Sequence, residues 1–151
     1  MTKFYPVSLI VFLAVIIAAI ITSGGSVLHF LNVPSFLMVV IPAVILALGN
    51  FRLSEMGRYF RLGARREPVS RREAMDAISF FDALTRYIII AGILGTLTGT
   101  IVMLANLGDV TRLGSGAALA LITMLYALII HVGVVVPFRT GARRKLAELE
   151  E

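Results

Sequence analysis

The chain has 151 residues, 58% of them hydrophobic, with no cysteine and no tryptophan. That apolar fraction exceeds what a soluble domain of this size can bury, and the lack of cysteine excludes a disulfide framework or a thiolate metal site. The net charge of +5 comes from basic residues gathered in a few segments, which points to loop topology in a membrane protein rather than to a nucleic-acid partner.

The first apolar run covers residues 6–22. Lys3 before it and Ser23, Gly24, Gly25 and Ser26 after it resemble the flanks of a signal peptide. A second apolar run follows closely, so a retained helical hairpin is the better reading. That run, residues 35–50, lies near the lower limit of about 17 residues for a bilayer crossing. Pro42 within it predicts a kink or a freed carbonyl that a neighbouring helix has to cover. Residues 51–85 are a short polar segment. Its first part, "EMGRYFRLGARREP", shows little regularity, and Gly63 and Pro68 suggest a turn. Ser70, with Glu73 three residues on, reads as a capping box. Ala74, Ile78, Phe81 and Leu84 then recur at helical spacing, predicting a helix continuous with the third span, residues 86–107. The fourth span is residues 116–137, and the tail, 138–151, reads as a short helical extension.

Charge orients these spans. Arg52, Arg58, Arg61, Arg65, Arg66, Arg71, Arg72 and Arg86 lie between spans two and three, and Arg139, Arg143, Arg144 and Lys145 follow span four. The first connection, "SGGSVLHFLNVP", carries no Lys or Arg, and the third carries only Arg112. The positive-inside rule then makes segment 51–85, the tail and both termini cytoplasmic. The expected architecture is all-α: one membrane domain, 1–151, of four transmembrane helices. The same arginines also suit anionic headgroups.

The third span contains "AGILGTLTGT". Gly92, Gly95 and Gly99 fall on one helical face, where small residues let backbones approach closely. Thr96 and Thr100 form the adjacent stripe, while Thr98 points elsewhere. Span four repeats the pattern, with a small-residue stripe of Gly116, Ala120, Thr123 and Ala127 and a second stripe of Met124, Ala127 and His131. The spacing fits two readings: plain helix packing, or stripes facing a lumen shared with another helix. One short bundle has little interior for so many small faces, so they are expected to hold an oligomer together. His131 suits a proton relay or a bond to a neighbouring carbonyl. His29 reads as an interface residue, and Asp109 and Arg112 as a loose pair at the outer mouth.

These stretches resemble the MotA/TolQ/ExbB family. "GILGTLTG" is similar to its third-helix pattern Gly-x-x-Gly-Thr-x-x-Gly, on Gly92, Gly95, Thr96 and Gly99. "ALITMLYALIIHVGVVVP" resembles the fourth-helix pattern through Ala120, Thr123, Tyr126 and Pro137. "GGSVLHFLNVPSFLMVV" resembles the MotA branch through Gly24, Gly25, Pro34 and Ser35. The chain departs from the family at Ile89, where a proline is usual, and at Met124 and Ala127, which replace a threonine and a glycine. Ile41 and Pro42 replace a glycine pair in the second helix, and segment 51–85 stands where MotA has a much larger cytoplasmic domain.

The resemblance implies a homopentameric ring in a bacterial inner membrane, around a dimer of single-span MotB/ExbD-like partners that supply the ion-carrying aspartate. It implies the ring subunit of an ion-driven motor or energy-transducing complex. Taken with the stripe spacing, it puts Thr96, Thr100, Thr123, Met124, Ala127 and His131, the last not a usual family residue, along the ion pathway, and Gly92, Gly95, Gly99, Gly116 and Ala120 packing the helices. A non-conducting scaffold ring of the same family is the alternative. The sequence shows no nucleotide loop, metal spacing or hydrolytic triad, so neither a cofactor nor an enzymatic activity is expected. No Asp or Glu lies inside the spans, and a carboxylate relay would need the partner.

Overall fold

The computed structural model describes residues 5–64 and 69–150. Lys3, Arg65, Arg66 and Pro68, which entered the charge and turn readings, lie outside them. Among the described residues the regular structure is entirely helical.

Helix α1, Tyr5–Thr22, is apolar around its whole circumference, and most of its side chains are exposed. It stops at Gly24, whose φ of 75° lies in the left-handed region, and the Gly25 N–H turns back to the Ile20 carbonyl at 2.9 Å. A 3₁₀ turn, Val27–Phe30, leads to α2, Val33–Asn50. Asn32 caps α2 by accepting the Ser35 N–H at 2.9 Å. Its buried residues Ser35, Val39, Ala43 and Ala47 recur every fourth position, forming one stripe that packs on α4 and α5. The helix continues through Pro42.

Helix α3, Leu53–Ala64, occupies the part of the polar segment where the sequence suggested irregularity. It forms because Met56, Tyr59, Phe60 and Leu62 have an apolar surface to meet, made by α4 and α6. Helix α4, Arg71–Leu104, is a single rod of 34 residues, about 51 Å long at 1.5 Å per residue. It opens on the expected capping box: Ser70 Oγ accepts the Glu73 N–H, and the Glu73 carboxylate accepts the Ser70 N–H. It ends at Leu104, short of residue 107. Helix α5, Val110–Ile130, passes into a five-residue π-helical turn, His131–Val135, and then into α6, Val136–Glu148. The tail is therefore a helical extension of the fourth span, as the sequence suggested, running to Glu148.

Among the described residues, three helical stretches are long and apolar enough to cross a bilayer: Val27–Asn50, Arg71–Leu104 and Val110–Glu148. The first run supplies a shorter apolar helix, Val7–Thr22.

The core sits at the arginine-bearing end of the bundle. Phe80 and Phe81 of α4 are fully buried there, their ring centroids 5.1 Å apart. Phe51, Tyr59 and Phe60 pack on Phe80, and Phe60 meets Phe138 of α6 at 5.1 Å, edge to face. Gly63 of α3 and Gly141 of α6 lie against each other so closely that a Cβ on either would collide with the other helix's backbone. Ion pairs fasten the outside of this cluster: Arg58 with Glu73, Arg139 with Asp82 at 2.5 Å, and Arg71 with Glu150 at 3.2 Å.

Candidate functional site

Helices α4 and α5 run antiparallel and make the most extensive helix pair in the chain. Their seam is built from the small residues singled out in the sequence. A Cβ on Gly92 would stand 2.6 Å from the Ala127 methyl, and one on Gly95 would stand 2.8 Å from Thr123 Cβ. Gly99 faces the backbone of Ala120 and the Gly116 carbonyl, and Gly116 in turn faces the backbone of Met103. The expectation that these glycines join neighbouring copies is corrected here. Their face is fully taken up by α5 of the same chain, because an antiparallel hairpin presents its own small-residue stripe directly opposite.

Two threonines from the two helices converge within this seam. The Thr96 hydroxyl crosses from α4 and donates to the Ala120 carbonyl of α5 at 2.9 Å. The Thr123 hydroxyl lies 2.7 Å from the Leu119 carbonyl and 3.1 Å from the same Ala120 oxygen. Thr123 is fully buried, at 0% exposure, and Ala127 is likewise enclosed, so in the single chain neither borders an open channel. Thr96 is half-buried. Thr100, also half-buried, bonds back to the Thr96 carbonyl at 2.8 Å, and Thr98 bonds back to Leu94. Chemically this is a hydroxyl-bearing seam in a stretch free of carboxylates. Its hydroxyls satisfy backbone carbonyls, and each retains lone pairs that can accept a further donor.

Met124 and His131 are half-buried on α5 and at the start of the π turn. Met124 sulfur lies on the Gly92 side of the seam. The His131 Nδ1 is buried and has no hydrogen-bond partner among the described residues. The π turn next to it holds α1 in place: the Tyr5 hydroxyl donates to the Val132 carbonyl at 2.5 Å, and Leu9 lies beside Gly133. At the far end of the hairpin, Asp109 caps α5 and pairs with Arg112 at 3.3 Å, as the sequence suggested.

Tyr126, which the sequence placed only in the fourth-helix pattern, ties two distant segments together. Its hydroxyl donates to the Phe30 carbonyl and accepts the Asn32 N–H at 3.0 Å, while its ring meets Phe36 edge to face. The connection between α1 and α2 is therefore tied to a residue sixteen positions into α5, about 24 Å from its first residue. The α4–α5 hairpin projects well beyond that tie. The only sequence signal for it is a lone tyrosine in a span of aliphatic residues, which need a polar partner when buried. At the opposite end, burial and then the carboxylates Glu55 and Asp76 raise the Tyr59 hydroxyl above its ordinary value of 10.0, so it remains a neutral ring within the aromatic cluster.

The MotA/TolQ/ExbB proton channel family matches residues 64–151, a stretch that includes α4, α5, the π turn and α6. No match is found among curated proteins.

Proposed function

Because the chain belongs to the MotA/TolQ/ExbB proton channel family, whose members are channels or transducers rather than enzymes, we propose that it is the ring-forming subunit of an ion-driven motor or energy-transducing complex. The observation that carries this reading is the α4–α5 seam, two apolar spans joined through hydroxyls with no carboxylate inside either. A ring of such hairpins presents Thr96, Thr100, Met124 and His131 to a central helix, with Thr123 and Ala127 directly behind them. The ion-carrying acid comes from a single-span MotB/ExbD-like partner, and the hydroxyls complete its coordination or pass protons to it. In this reading α1 is the fourth span, both termini are cytoplasmic, and the ring is a homopentamer in a bacterial inner membrane. The small α3–α4–α6 cluster replaces a large cytoplasmic domain and leaves little surface for a flagellar rotor.

The test is ion flux into liposomes with the chain alone, with a single-span partner, and with the partner plus Thr96→Val. The bare ring should leak little, because an ion in an apolar pore lacks ligands. The partner should open the path, and loss of the Thr96 hydroxyl should lower flux by about tenfold, the equivalent of one hydrogen bond to a charged group. Undiminished flux in Thr96→Val would reduce that residue to helix packing. A second reading, a non-conducting scaffold ring, is favoured by one observation: both seam hydroxyls already bond carbonyls of the same chain. Absence of flux with every partner would support it.

A further inference from the structure

Between α2, α3, α4 and the π turn lies a cavity of about 150 Å³ whose lining is wholly apolar. Val39, Ala43 and Ala47 of α2 form one wall, and Phe80, Leu84 and Ile88 of α4 form the other. Met56 and Phe60 of α3 close its arginine-bearing end. Its rim includes Val44 and Val134, which are 42% and 39% exposed, so the cavity opens sideways towards the bilayer. Water does not fill an aliphatic cavity of this size, since it finds no polar partner there. Hydrocarbon does, and in a membrane the hydrocarbon at hand is an acyl chain.

Charge identifies which lipid. Ala47 and Met56 flank the α2–α3 corner, and that corner carries Arg52. Arg58, Arg71 and Arg139 are engaged by Glu73, Glu150 and Asp82. The Arg52 side chain is exposed and makes no ion pair among the described residues, although its backbone N–H contacts the Glu55 carboxylate at 3.4 Å. It is a cation without an ion pair among the described residues, carried on the corner next to the cavity's closed end, and the cavity has room for part of an acyl chain. We infer that the cavity holds part of one chain of an acidic phospholipid, with the phosphate at Arg52. The site depends on the chain lying in a membrane and not on whether the ring conducts.

The sequence has no tryptophan, so a single introduced indole reports on its own surroundings. Val44→Trp places it at the rim, and Leu121→Trp places a control on the distal hairpin, where Leu121 is 72% exposed. Each variant is reconstituted in phosphatidylcholine containing a minor fraction of either brominated-chain phosphatidylglycerol or brominated-chain phosphatidylcholine. At Val44→Trp the acidic lipid should quench about fivefold more strongly than the zwitterionic one, the preference one arginine gives near an anionic headgroup. At Leu121→Trp the two should quench alike, and adding Arg52→Gln to Val44→Trp should bring its ratio back to that of the control. Val40→Trp, on the same wall, serves if Val44→Trp does not fold. Equal quenching by the two lipids at the rim, or a preference that survives Arg52→Gln, overturns the proposal. Quenching at Leu121→Trp with none at the rim also overturns it, and assigns the cavity to a second copy of the chain.

Discussion

The sharpest mechanical test of the hairpin is Gly99→Ala. A methyl group at that position would stand 2.7 Å from Ala120 Cα and 2.8 Å from the Gly116 carbonyl oxygen, with the Ala120 nitrogen nearer still. Ordinary contact begins at 3.4 Å, so clearing the Ala120 nitrogen would separate the helices by about 1 Å, and a gap of that size forfeits a quarter to a half of each dispersion contact along the seam. No side chain can swing aside, because the obstacles are backbone atoms of a packed helix. The expected cost of overpacking is about 1–3 kcal/mol. It opposes the roughly 1 kcal/mol by which alanine is the better helix former. Gly57 in α3 and Gly114 in α5 have nothing within 4 Å of the position a Cβ would take. The same substitution there should stabilise by roughly 0.5–1 kcal/mol. The assay is unfolding in detergent micelles titrated with sodium dodecyl sulfate and followed by helical circular dichroism. If Gly99→Ala proves as stable as Gly114→Ala, the close approach of α4 and α5 is wrong.

Other outcomes follow from the same contacts. Tyr126→Phe removes the hydroxyl that holds Phe30 and Asn32. It should cost about 1–2 kcal/mol and speed hydrogen exchange at the Asn32 amide about tenfold; an unchanged exchange rate would refute the tie. Asp82 and Arg139, with side chains 36% and 32% exposed, should show a coupling of no more than about 1 kcal/mol in a double-mutant cycle, since solvent screens the pair. Exchanging the two residues should restore it, and zero coupling would make the contact incidental. Cysteine introduced at Ser54 should be protected from an impermeant reagent applied outside intact cells while one at Ser26 reacts, because the arginine-rich end is expected inside. The reverse pattern would invert the topology.

Local chemistry made much of α4 legible in advance. The Ser70–Glu73 box needs only residues three apart, and the periodicity of Ala74, Ile78, Phe81 and Leu84 reports a helix whatever it packs against. Glycine spacing announced close approach along Gly92, Gly95 and Gly99, yet spacing carries no information about whose backbone approaches. Only the antiparallel hairpin supplies that. Helix α3 was legible but masked by its glycines. Gly57 and Gly63 weaken its intrinsic propensity, yet Leu53, Met56 and Phe60 recur at helical spacing with Arg58 and Arg61 off that face, and Phe80 and Phe138, distant in sequence, supply the surface they meet. The Thr96 bond to Ala120 was out of reach, because a threonine in a helix has a carbonyl of its own turn available, as Thr98 and Thr100 show. Tyr126 spans ninety-six positions to Phe30, and no local pattern encodes a bond of that length.

The π turn at His131–Val135 sets the angular phase of everything after it. A π turn holds one more residue than the α-helical turn it replaces, and on an α-helix one residue is a rotation of about 100°. The turn takes up that surplus residue without passing the rotation on, so the buried positions of α6, Pro137, Gly141 and Ala142, face α3 and α4. Removing any one residue between 131 and 135 would let the turn close to ordinary helix, with Gly141 still opposite Gly63 and the α4–α5 seam untouched. Straightening the same five residues to ordinary helix without a deletion would instead swing Gly141 away from Gly63 by about a quarter turn, with Asp82 and Arg139 pulled out of register. For this chain the turn is the place where the rod can lose one residue without disturbing the cluster at its end.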